Sequence, residues 1–136
     1  MILNNSSSSI KLSVLDQSVA TSDHSHDTTL QNTLELAFFC EELGYNSFWV
    51  SEHHNHPTIL GTAPEILMGA IAARIRKIPI GSAGIMLPHY ASLKVAEQFR
   101  VLDALALGRI DLGVGLAPGS DQFDSETAQS QSLYLR

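Results

Sequence analysis

The sequence holds a single cysteine, Cys40, so no intrachain disulfide can brace it, and the apolar stretch around that residue reads as the setting of an ordinary buried thiol. No apolar run approaches the roughly 18 residues that suggest a membrane span. The first nine residues, ending in Ser6-Ser7-Ser8-Ser9, lack the basic leader and apolar core of a secretion signal and read as a flexible tail. Charge is sparse as well: 16% of residues are charged, and eight scattered Lys and Arg face 14 Asp and Glu, for a net charge of −6. A phosphate backbone demands a concentrated cationic surface, so nucleic acid is disfavoured and not expected as a partner. The expected setting is a reducing cytoplasm with no membrane partner.

What is present is apolar side chain, 44% of the residues, enough for a packed core. Ile10 to Leu15 alternates weakly and then turns apolar, as a buried first strand would. Leu30, Leu34 and Phe38, with Leu36, Cys40 and Leu43, recur at helical spacing; Asp27 or Thr28 is the expected cap and Gly44 the left-handed stop. Ser47-Phe48-Trp49-Val50 suits a second strand. Thr62 and Glu65 have capping-box spacing around Pro64 and open an alanine-rich helix to about Ile75. A third strand begins at Ile78, and Leu93, Ala96, Phe99, Leu102 and Leu105 mark a helix from about Ser92 that Gly108 closes. Arg109 to Val114 gives a fourth strand. Strands alternating with helices through short links imply parallel pairing and right-handed crossovers, an α/β fold. Residues 119–136 are polar, carry no apolar stripe and read as a weakly ordered tail.

In such folds ligands bind at the C-terminal ends of the strands. Those ends are Asp16-Gln17-Ser18, Glu52-His53-His54-Asn55, Ser82-Ala83-Gly84 and Gly115-Leu116-Ala117-Pro118-Gly119. Glu52-His53-His54 says most, because histidine moves protons near neutral pH and an adjacent carboxylate can orient its charged form. The bland alternative is a polar run that leaves a strand and meets water. A metal site built from His53, His54 and His56 is a further alternative, disfavoured because adjacent residues of an extended segment point apart; His24, His26 and His89 are placed in solvated loops. The glycines from Gly113 to Gly119 fit a dinucleotide loop poorly, the spacing being one residue too long; they suit either a tight turn or close approach of a flat ligand. Ser82-Ala83-Gly84 would leave a hollow for a planar ring, or simply allow close packing.

Together, Leu12-Ser13-Val14-Leu15-Asp16-Gln17-Ser18, Trp49-Val50-Ser51-Glu52-His53-His54-Asn55, Ala63-Pro64-Glu65, Gly81-Ser82-Ala83-Gly84-Ile85-Met86-Leu87-Pro88, Lys94-Val95-Ala96-Glu97-Gln98-Phe99 and Gly108-Arg109-Ile110-Asp111-Leu112-Gly113 resemble the bacterial-luciferase-like flavin monooxygenases, over about Leu12 to Pro118. The resemblance implies a (β/α)8 barrel, of which residues 10–118 would be the first four strands and three helices. It implies FMN at the strand ends, reduced by a separate reductase, which reacts with O2 to oxidise a small organic substrate; a deazaflavin in place of FMN stays open. It makes His53 the catalytic histidine with Glu52 beside it, and puts the flavin against Ala83-Gly84, often a cis peptide in the family, and against Gly115 and Leu116. Leu116 stands where the family usually has arginine, which removes a cation from the flavin's polar edge.

At 136 residues the chain is about half the ~250 of a closed barrel, whose late loops normally hold the cofactor phosphate. The expectation is therefore a truncated monooxygenase with little intrinsic activity. A non-catalytic half-barrel that assembles with itself or with another half stands as the alternative, since open sheet edges favour homo- or hetero-oligomers. In the family the second and third helices often form a dimer contact.

Overall fold

The computed structural model describes residues 10–23 and 25–116, so both predicted tails, His24 and Ala117 onward lie outside the described residues. Four strands and three helices alternate: β1 (Val14–Asp16), α1 (His26–Glu42), β2 (Phe48–Val50), α2 (Pro64–Arg74), β3 (Ile80–Met86), a 3-10 turn (Leu87–His89), α3 (Ser92–Leu105) and β4 (Ile110–Gly115). The strands lie in the order β1-β2-β3-β4 and every pair is parallel. The chain forms the parallel α/β order expected from the alternation and the partial β/α barrel that the family resemblance implied.

Register decides which side chains meet the helices. Val14, Phe48, Ile80 and Ile110 form one row and Leu15, Trp49, Gly81 and Asp111 the next. Successive side chains leave opposite faces of a strand. Phe48, Val50 and Ile80 accordingly pack with Ala37, Met68, Ile71 and Phe99 in the core, whereas Leu15 on the other face is 54% exposed. Trp49 lies flat over Gly81, where a Cβ would run into the indole ring, so the glycine is the condition for that packing.

Several local expectations need correction. The first strand starts at Val14 and not at Ile10, and both Ile10 and Leu12 are exposed. Ser25, not Asp27 or Thr28, caps α1: its side chain accepts from the Thr28 N–H at 3.2 Å, and the helix therefore begins at His26, which the sequence reading placed in a loop. The buried stripe of α1 is Thr29, Thr33, Ala37 and Cys40, while Leu36, Phe38 and Leu43 are exposed. Thr33 is drawn inward because its hydroxyl donates to Asp16 and bonds Ser18 Oγ at 2.9 Å. Thr62 and Glu65 form no capping box. Pro64 has no N–H to cap and opens α2, so Ala63 is the cap residue and Thr62 stands one position outside. On α3 the core face is Val95, Phe99 and Leu102, and Leu93 and Leu105 point to solvent. Gly44 and Gly108 do end their helices at positive φ, +77° and +70°.

Candidate functional site

The parallel register brings the C-terminal ends of all four strands to one edge of the sheet. At β1 the polar group is structural: Asp16 accepts from the Ser18 N–H at 3.2 Å and from Thr33, and so holds Ser18 at a φ of +51°. The β1–α1 loop then zips onto the β2–α2 loop through an antiparallel bridge, Val19 to Ile59, with Ala20 N–H to Thr58 O at 2.7 Å and Leu60 N–H to Ser18 O at 3.0 Å.

The Glu52-His53-His54 run leaves β2 inside this frame. Glu52 is 1% exposed. Its Oε1 lies 2.7 Å from His54 Nε2 and accepts from the Tyr90 hydroxyl at 3.0 Å; its Oε2 accepts from the Met86 N–H at 2.9 Å. The carboxylate thus pairs with His54, the histidine two residues along the chain. The His54 ring packs on that of His89, centroids 4.7 Å apart. His53 is anchored through its backbone N–H to Gly61 O at 3.0 Å, while its Nδ1 is buried and finds no partner among the described residues. Burial pushes the Tyr90 phenol well above its ordinary pKa; the charge of Glu52, the hydrogen bond to it and the charge of Glu65 add to the effect.

Ser51 Oγ, His53 Nδ1, Glu65 Oε2 and His89 Nε2 are buried polar atoms without a partner among the described residues. All four belong to the segments that follow β2 and β3 or to the first turn of α2. Buried polar atoms ordinarily find partners, so hydrogen-bonding capacity left open gathers at this end of the sheet. His89 and Tyr90 escaped the sequence reading, which put His89 in a solvated loop. The signal was the His89-Tyr90 pair that follows Ile85-Met86-Leu87-Pro88, but the link of Tyr90 to Glu52 spans 38 residues and shows no spacing.

At β3 the Ala83–Gly84 peptide is cis, and the ladder to β4 shifts register between Ser82 and Ile85. Ser82 Oγ closes the gap: it donates to Gly113 O at 2.9 Å and accepts from Gly113 N–H at 3.1 Å. Ala83 is exposed there, and a Cβ on Gly84 would stand 3.0 Å from the Gly113 and Val114 backbone. Val50, the last residue of β2, pairs with Ser82, so Ala83–Gly84 lie inside β3 and not past its end as expected, while His53 follows the C-terminal end of β2. Gly113 and Gly115 lie within β4, so they form neither a tight turn nor a glycine loop. Gly113 is the position that sterics demand, since a Cβ would collide with Ser82 O; a Cβ on Gly115 would meet only Ile85 O at 3.8 Å. Leu116 is 81% exposed.

The metal alternative receives no support. His56 Nδ1 takes the Thr58 and Ile59 N–H groups at 3.3 and 3.2 Å, and no group of three His, Cys, Asp or Glu among the described residues could hold an ion. No described helix is long and apolar enough to cross a membrane. A groove of about 820 Å³ runs along α2 and α3 past Ile66, Leu93 and Val101.

Comparison with known proteins bears on this geometry. The family model for luciferase-like monooxygenases matches residues 10–129. The N-acetyl-S-alkylcysteine monooxygenase of Bacillus subtilis (strain 168) is 54% identical over 122 residues, which cover 90% of this chain and 36% of that protein. The crystal structure of apo-MsnO8 superposes with a TM-score of 0.85 at 41% identity, over 90% of this chain and 37% of that one. The oxygenating constituent of 3,6-diketocamphane monooxygenase from Pseudomonas putida, solved with FMN, shares the fold with a TM-score of 0.80 at 22% identity, over 88% and 32% of the two chains. The chain thus spans about a third of the length of these relatives.

Proposed function

The chain belongs to the luciferase-like monooxygenase family, and on that premise we propose that its strand ends form the flavin-facing part of an FMN-dependent monooxygenase in which His53 is the catalytic residue. The observation that carries this reading is the unpartnered Nδ1 of His53 at the edge of the sheet where Ala83 and Gly84 offer no bulk. A flat ring needs such a floor, and the exposed Ala83 methyl with the Gly84 backbone fits one. Gly115 extends that floor along β4; Leu116 contributes an apolar contact and no charge. Reduced FMN, supplied by a reductase, would provide the electrons that activate O2 toward an organic substrate.

The chain's own residues do the rest. His53 holds or moves a proton beside the ring, since imidazole exchanges protons near neutral pH. Ser51 Oγ and His89 Nε2 have capacity to bind polar groups of the flavin or substrate. The thioether acted on by the 54% identical relative is the first substrate class to try. The test is oxygen consumption and product formation from an N-acetyl-S-alkylcysteine with FMN, NADH and a flavin reductase. The expected result is slow turnover, as befits a chain that holds part of the barrel, which His53→Gln lowers by about a hundredfold or more. Full turnover in that variant would remove His53 from the mechanism.

A further inference from the structure

A carboxylate shut away from water must find donors for both oxygens. Glu52 finds them on separate segments: the Met86 N–H on β3, the Tyr90 hydroxyl just past the 3-10 turn, and the His54 ring two residues ahead. For His54 Nε2 to donate, the ring must carry its proton on that nitrogen. The Tyr90 phenol is protonated at neutral pH at its ordinary pKa, and so donates to Glu52. These bonds fix the residues on both sides of His53, and the His53 N–H to Gly61 O bond fixes the peptide between them.

We propose that Glu52 and Tyr90 are positioning residues, which hold the 52–54 segment so that His54 is tied to the carboxylate and His53 alone presents an unbonded Nδ1 to the flavin site. The inference rests on the assignment of His53 to the reaction. Tyr90→Phe keeps the ring and removes one donor, leaving Glu52 two. Glu52→Gln keeps the shape, but its amide places a donor where one of the converging donors now bonds, so one contact must break.

The test reads the His53 ring itself. In 1H–13C spectra of the 136-residue protein, with the His53 Cε1–Hε1 signal assigned through His53→Gln, the parent should give one sharp resonance. Both Tyr90→Phe and Glu52→Gln should broaden or double it. With Tyr90→Phe, flavin-dependent turnover should fall about tenfold at unchanged KM for FMN, because misplacing a catalytic group costs rate more than binding. A merely structural role would lower the unfolding temperature and leave the resonance single. A single parent-like His53 signal in both variants overturns the proposal. If His53→Gln retains full turnover, the catalytic assignment fails, yet the spectra still decide whether Glu52 and Tyr90 set the ring.

Discussion

Glu41 shows what one side chain can hold together. It ends the buried face of α1 at 8% exposure, and its carboxylate accepts from the backbone N–H groups of Arg76, Lys77 and Ile78 where α2 turns into β3. Burial pushes its pKa upward, but the three N–H bonds and the Lys77 charge outweigh this and leave it below the usual carboxylate range. A depressed carboxyl stabilises the fold above the unfolded value, about 4.3, and that contribution is lost as pH falls through the folded value. Glu41→Gln should therefore cost roughly 1–3 kcal/mol in urea unfolding at neutral pH. The gap to the parent should narrow on acidification, and a gap independent of pH would contradict the assignment. Leu116 is a residue-scale matter of the opposite kind, an exposed apolar side chain at the end of β4. Restoring a cation there with Leu116→Arg should tighten FMN about tenfold in a fluorescence titration, the worth of one charge-assisted hydrogen bond.

At the scale of the element, α1 separates what the sequence discloses from what it hides. Its existence, its stop at Gly44 and its place between two strands follow from spacing and turn chemistry. Its buried face does not, because Thr29 and Thr33 are polar by type: Thr33 enters the interior where Asp16 and Ser18 meet its hydroxyl, and Thr29 returns its own to Ser25 O at 3.1 Å. Thr33→Val should destabilise the protein by roughly 1–3 kcal/mol through the lost donor to Asp16, whereas Leu43→Ser, at a 75% exposed position, should stay within about 0.5 kcal/mol. Thermal unfolding of the two variants distinguishes this face from the leucine stripe. The β2–α2 loop repeats the lesson. Glu52-His53-His54 stood out because it leaves a strand at the ligand-binding edge, but which histidine the carboxylate takes depends on Met86 and Tyr90, more than thirty residues away. The cis Ala83–Gly84 peptide was implied by family resemblance and had no mark in periodicity.

The described residues form an open four-stranded sheet with helices on one face. β1 and β4 are its edges, and Leu15, Leu112 and Val114 are exposed along them. On α2 and α3, Ile66, Leu93, Val101 and Leu105 are between 59% and 73% exposed. Unpaired edge strands and apolar surface of this kind favour association. Sedimentation at micromolar concentration should accordingly show species larger than the 14.8 kDa monomer, and a cooperatively folding monomer would argue against half-barrel assembly. The proposed flavin site lies over the C-terminal ends of β2, β3 and β4. Titration of FMN into isotopically labelled protein, followed by amide chemical shifts, addresses it directly. Shifts are expected to concentrate at His53, Ala83, Gly84, Gly115 and Leu116. Shifts confined to the α2–α3 groove, or none at millimolar FMN, would contradict it.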